Sequence, residues 1–342
     1  MELYLLNQSR IPIAVIDNYK SLIWTKRYYN YGDFELYIPA DRTLIEQFKH
    51  DCFLTREDDT SVMLIEKLKI ETDSENGNFL IISGRSLESI LTRRVVVPQI
   101  IIPDSEPVQA IKMLIENNTV NSSVPNREIP GLCIDDSLML GTTLTKQVTG
   151  DNLFDAVSAI CKNFGIGIKA ELSGNEIKFS FYKGREVNVV FSHEFDNLIS
   201  SSYEFDYTNF ADFAFAAGEG EGSERKITAL ARGLPSGLSR REIFVDARDI
   251  SSNEGEISQA DYYRQLIIPA KESLDEHNVA ELFDSEVAPD ITYHYKTDYN
   301  LGDIVTVKNE YGISFKPRIA EIIESWDEDG YKVVPKFEKE VN

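Results

Sequence analysis

Three cysteines in 342 residues, Cys52, Cys133 and Cys161, cannot build a disulfide framework. Their odd number and wide spacing also exclude a cysteine zinc site, and all three read as small buried hydrophobes. Histidines are as few: His50, His193, His277 and His294 stand far apart, and none has a second histidine or a cysteine at i, i+4. G-x-S-x-G, H-E-x-x-H and Cys–His signatures are missing, so no nucleophile or metal motif for hydrolysis is present. No apolar run reaches the ~18 residues needed to cross a bilayer. The opening Met-Glu-Leu-Tyr-Leu-Leu lacks a basic n-region and a small-residue cleavage site. Neither membrane insertion nor a signal peptide is expected. Positive charge is also scarce, with 35 Lys and Arg against 57 Asp and Glu and a net charge of −22. Residues 1–100 carry 12 basic and 15 acidic side chains, whereas residues 251–342 carry 9 and 20. Such a chain repels a phosphate backbone, which excludes sequence-specific nucleic-acid binding.

What is present is ordinary globular hydrophobicity, 42%, with many rings: 16 Tyr and 18 Phe. That composition excludes disorder and favours sheets and interfaces. The organising stretch is residues 22–39. Phe34, Leu36 and Ile38 alternate with Glu35 and Tyr37, the period of a strand with one buried face. Trp24–Tyr31 and Phe34–Ile38 read as a hairpin turning at Gly32-Asp33, with Gly32 taking a positive φ and Pro39 ending the second strand.

The chain then divides into three. Residues 1–97 are expected to form a β-barrel-like domain. Its signals are apolar runs at 3–6 and 11–16, a helix capped by Asp41, strands at 53–54, 62–70 and 79–83, a hairpin turn at Asn76-Gly77 and a short helix at Ser86–Leu91. Residues 98–188 form an α+β insertion. A helix over 105–117 is capped by Asp104 or Ser105, and a second begins at Asp151 and stops at Gly165. A hairpin follows over 166–172 and 176–182. Residues 189–342 form a second β-barrel-like domain, with strands within 200–217, 227–231, 241–246, 291–295, 304–307, 315–325 and 331–337. It includes a helical segment at 258–286 that Pro269 should kink or split. The expected class is α+β, mostly β.

Sites that mimic chemistry fail on their residues. Gly218-x-Gly-x-Gly222 interleaves glutamates, which would repel phosphate. Asp327-Glu-Asp-Gly330 lacks the later glutamate of a calcium loop. Asp303 and Asp327 sit in turns, where Asp is favoured for its backbone hydrogen bonds. No catalytic, cofactor or metal residue is therefore assigned. The candidate contact residues are the dense aromatics Trp24, Tyr28, Tyr29 and Tyr31 with Arg27, and the basic cluster Arg85, Arg93 and Arg94, suited to pairing with an acidic C-terminal region of a neighbouring copy.

Trp24, Arg27, Tyr28, Gly32, Asp33, Phe34, Leu36 and Pro39 resemble the opening of siphophage tail-hub proteins, the family related to the baseplate hub of contractile-tailed phages. Further stretches agree in order: Met63–Glu66, Ser83–Leu87 with Arg93-Arg94, Asp196–Leu198, Phe244–Arg248, Leu301–Val305 and Arg318-Ile319. The resemblance implies a homotrimer in a virion tail tip, assembled in the host cytoplasm. Each subunit would give two similar barrel domains to a six-fold-like ring. Its partners would be a distal tail protein or tail-tube ring on one side and a spike, fibre or tape-measure protein on the other, with DNA sliding past an acidic lumen. Two other classes compete: a tail-associated cell-wall endopeptidase or lysin, and a host carbohydrate-binding module.

Overall fold

In the computed structural model, which describes residues 1–73, 77–252, 257–287 and 292–338, the period-two stretches pair as their spacing demands. β1 (Leu3–Leu6) runs antiparallel to β2 (Pro12–Ile16). β3 (Ser21–Arg27) and β4 (Asp33–Pro39) form the expected hairpin, with Trp24 opposite Phe34 and Leu22 opposite Leu36. Two details differ. The first strand stops at Arg27, so Tyr28–Tyr31 leave the sheet. Gly32 keeps an ordinary φ. A Cβ there would collide with the Thr25 carbonyl oxygen, so close backbone approach excludes a side chain.

α1 (Arg42–Gln47) is capped by Asp41, whose carboxylate accepts from the Thr43 and Leu44 N–H groups. β5 (Phe53–Arg56), β6 (Asp59–Asp73) and β7 (Gly77–Ser86) continue the sheet as a meander. Asn76 of the expected turn lies outside the described residues. A 3-10 segment, Leu87–Arg93, stands where a short helix was expected. β8 (Ile100–Ser105) takes up both expected caps, and α2 (Pro107–Thr119) is capped instead by Glu106. After β9 (Leu132–Ile134) and β10 (Leu144–Val148), Asn152 rather than Asp151 caps α3 (Leu153–Phe164), which stops at left-handed Gly165. β11 (Gly167–Ser173) and β12 (Glu176–Tyr182) form the expected hairpin, and β9 adds to β12 in parallel. The apolar faces of α2 and α3 close over these strands in one core.

β13 (Glu186–Ser192) and β14 (Leu198–Asp206) follow, then β15 (Phe213–Ala217), β16 (Ile227–Ala231) and β17 (Glu242–Asp246). α4 (Gln259–Glu276), β18 (Ala280–Val287), β19 (Ile304–Lys308), β20 (Ser314–Phe315), β21 (Arg318–Asp327) and β22 (Gly330–Glu338) complete the chain. It divides into two compact units, residues 1–201 with 284–342, and residues 202–283. β14 and β18 pair as a two-stranded sheet.

The first unit holds a twelve-stranded sheet ordered β13-β19-β21-β3-β4-β7-β6-β5-β1-β2, with β20 on β19 and β22 on β21. Strands from the two ends of the chain meet in its middle, where Glu324 of β21 lies opposite Trp24 of β3. That pairing satisfies a β3 edge that would otherwise present a bare row of donors and acceptors. Among the described residues the strand order does not return on itself, so this is an α+β, mostly β fold without a closed barrel, and the sheet segments at the two ends share one sheet.

In the second unit β15 lies between antiparallel β16 and parallel β17. α4 lays Tyr262, Leu266, Ala270 and Leu274, four residues apart, against the face carrying Ala214 and Ala216. This packing corrects two expectations. The helix runs through Pro269 unbroken, its buried stripe offsetting the roughly 3 kcal/mol that an internal proline costs. It also ends at Glu276, and residues 280–287 are strand β18 rather than helix. The opposite sheet face presents Phe213, Phe215 and Phe244, and Phe244 stays 60% exposed. Residues 292–295 are likewise not a strand; Tyr295 makes an isolated bridge to Tyr299, and Ile291 lies outside the described residues.

Candidate functional site

The aromatic run does not form an outward surface. Trp24 and Tyr28 are fully buried and Tyr29 nearly so. Their density has another cause: the chain leaves β3 at Arg27 and passes from one core to another. Trp24 belongs to the core of Leu22, Phe34 and Leu36, while Tyr28 and Tyr29 belong to the core under α2 and α3. Three of the candidate contact aromatics are thus this chain's own core. Tyr31 is partly buried against Phe154 at 4.9 Å.

Tyr28 ties distant segments together. Its hydroxyl accepts from the Gly184 N–H at 3.0 Å and lies 3.0 and 3.1 Å from the Gly165 and Tyr182 carbonyls, either of which accepts its proton. A methyl group on Gly167 or Gly302 would overlap its ring. The Arg318 guanidinium lies 5.0 Å from the ring centroid. Burial pushes the Tyr29 hydroxyl up to about 12.

The arginines are mostly engaged within the chain. Arg27 bridges Asp33 at 2.5 Å and Glu321. Arg85 pairs with both Glu66 oxygens at 2.6 and 2.7 Å and lies over the Tyr31 ring. Arg93 pairs with Asp51 at 2.6 Å. Arg94 differs: among the described residues its donors reach only the carbonyls of Arg127 and Arg93, at 3.1 and 3.0 Å. The basic cluster therefore separates into two neutralised members and one whose neighbours are cations.

A buried polar network escaped sequence reasoning. Arg56 and Glu324, both with fully buried side chains, form two parallel hydrogen bonds of 3.0 and 3.1 Å. Lys26 sits 3.1 Å from Glu324 and 2.5 Å from Asp59, and Lys296 lies 3.1 Å from Asp59. The Tyr331 hydroxyl donates to Glu324 at 2.9 Å, and the Arg56 guanidinium stacks 4.5 Å over Trp326. Burial opposes ionisation of Asp59 and Glu324, but the adjacent Lys26, with Arg56 at Glu324, holds both carboxyls below their usual range. Arg56 and Glu324 are separated by 268 residues, so no spacing rule would have joined them.

Glu88 is the opposite case. It is buried, its Oε1 accepts from the Ala170 N–H at 2.7 Å, and burial pushes its carboxyl up from 4.5. A raised carboxyl is neutral in both states at low pH and costs stability as pH climbs from its unfolded value through its folded one. Asp59 and Glu324, held low, lose their contribution as pH falls. The Tm of Glu88→Gln relative to wild type is therefore expected to rise with pH over the window that opens at the ordinary carboxylate value of about 4.5, followed in a thermal-unfolding series. A difference that stays flat over that window sinks the assignment.

Among the described residues no group of three or more His, Cys, Asp and Glu is placed to hold a metal ion. No curated protein sequence matches the chain. Solved structures similar along the whole chain include the 43 kDa tail protein of prophage MuSo2 from Shewanella oneidensis, with a TM-score of 0.63 at 13% identity, covering 99% of this chain and 98% of that one. The tail protein from Neisseria meningitidis MC58 gives 0.62 at 14% identity over 98% and 96%. Prophage tail protein gp18 from Listeria monocytogenes EGD-e gives 0.59 at 9% identity over 100% and 96%. At such identities the likeness is one of fold. The sequence family of Siphovirus ReqiPepy6 Gp37-like proteins matches residues 2–337, and the chain belongs to that family.

Proposed function

We propose that the chain is a structural component of a phage or prophage tail: a trimeric hub that joins the tail tube, or a distal tail protein ring, to the spike or fibre at the tip. The observation that carries this reading is end-to-end coverage of both chains against the MuSo2 tail protein, 99% and 98%, together with the family match. In the proposed ring each subunit offers two similar sheet faces, from residues 1–97 and 189–342, so that three copies meet a six-fold neighbour. Exposed rings support an assembly role, since Phe205, Tyr207 and Phe244 are 60%, 45% and 60% exposed on strands or beside them. The net charge of −22 suits a lumen past which DNA slides without adhering. In this reading the chain has no reaction to perform.

Cryo-electron microscopy of tails carrying this chain is expected to show three copies around the axis at the tip. A ring of another copy number, or a place along the tube or on a side fibre, overturns the proposal. A cell-wall zymogram with a clear band would favour the lysin reading instead.

A further inference from the structure

A chain with 57 acidic and 35 basic residues repels its own copies unless complementary patches meet. One patch is unusual against that background. Arg94 donates from Nε to the Arg127 carbonyl at 3.1 Å, and Arg127 donates to the Val97 carbonyl at 2.7 Å and to that of Val95. Both side chains are only partly buried, and among the described residues neither has a carboxylate within ion-pair distance. Burial and then the Arg127 charge push Arg94 down. Two guanidinium groups are thus held together by backbone carbonyls alone, an arrangement that an arriving carboxylate relieves. Val95 and Val97, 49% and 42% exposed, flank them and supply an apolar rim.

The complement is on the same polypeptide. The turn from β21 to β22 carries three consecutive exposed carboxylates, Asp327, Glu328 and Asp329, of which only Asp329 has an ion-pair partner among the described residues, Lys332 at 3.5 Å. A ring of three needs head-to-tail contacts in which one patch meets a different patch of the next copy, because a self-complementary patch closes a dimer instead. We infer that the Arg94–Arg127 patch receives the Asp327–Asp329 hairpin tip of a second copy of this chain. This inference rests on the hub reading and gives its subunit contact in residues.

The test is sedimentation of the full chain at low and high salt. Wild type is expected to self-associate at low salt and less so at high salt. Arg94→Glu with Arg127→Glu, and separately Asp327→Lys with Glu328→Lys and Asp329→Lys, should each weaken association about thirtyfold or more. All five substitutions in one chain reverse both patches and should restore assembly, a gain that misfolded variants could not produce. Assembly that persists in either reversed variant, or no recovery in the combined one, overturns the inference. A wild type that stays monomeric at its highest soluble concentration also overturns it. Copy number in the assembled tail separately decides the hub reading.

Discussion

Glu324→Ala is expected to lower the unfolding free energy of the first unit by about 3–5 kcal/mol. The substitution leaves Arg56 buried against both tryptophan rings, 4.5 Å over Trp326 and 5.2 Å over Trp24, without its buried two-point partner and with only the half-exposed Asp58 still bonded to it at 2.9 Å among the described residues. With Glu324 present, three carboxylates (Asp58, Asp59, Glu324) face three cations (Lys26, Arg56, Lys296). Removing one leaves a net charge in a place where water cannot screen it. The pair itself is not a large net stabiliser, because desolvating two ions offsets most of their attraction. Arg56→Met with Glu324→Leu is accordingly expected to fall near wild type. Trp24 and Trp326 are the only tryptophans in the chain, so urea unfolding followed by their fluorescence reports on this region directly. A single alanine variant within about 1 kcal/mol of wild type would show that the network is already solvated.

How much of this could be read from residues alone differs between elements. Short-range rules worked where a segment's own pattern decided its state. The period-two run Phe34–Ile38 is a strand, and Asp41 and Gly165 cap helices where their chemistry is favourable. Rules failed where distant packing outweighed local preference. Pro269 should break a helix, yet Tyr262, Leu266, Ala270 and Leu274 hold it whole against the β15–β17 sheet. Residues 280–287 carry helix-compatible Ala, Glu and Leu, but β14 captures them as a strand. The candidate contact residues divide on the same principle. Ring density around Trp24–Tyr31 is visible in sequence; its division between two cores is a property of the chain's path. Arg94 was identifiable as cationic. Its lack of a carboxylate partner among the described residues, and the neutralisation of Arg85 and Arg93 by Glu66 and Asp51, depend on strands brought together by the fold.

Tyr28→Ala should be the second severe change, costing about 3–5 kcal/mol, the range for emptying a buried aromatic site. Its ring fills the space between Gly167 at the start of β11 and Gly302 before β19, and its hydroxyl receives the Gly184 N–H. Tyr28→Phe isolates the second part. It keeps the ring and strips the partner from one backbone donor, so about 1–3 kcal/mol is expected. Gly167→Ala tests the first part from the other side, since its new methyl group must displace the Tyr28 ring and also crowds Tyr182. If the glycine exists to admit the Tyr28 ring, the two substitutions are not additive. Tyr28→Ala makes room for the Gly167→Ala methyl group, and the double variant should be more stable than the sum of the singles predicts by roughly 0.5–3 kcal/mol. Additive losses in urea unfolding would mean that Tyr182 alone sets the space at Gly167, and that Tyr28 joins β11 to the β19 segment through its hydroxyl rather than its ring.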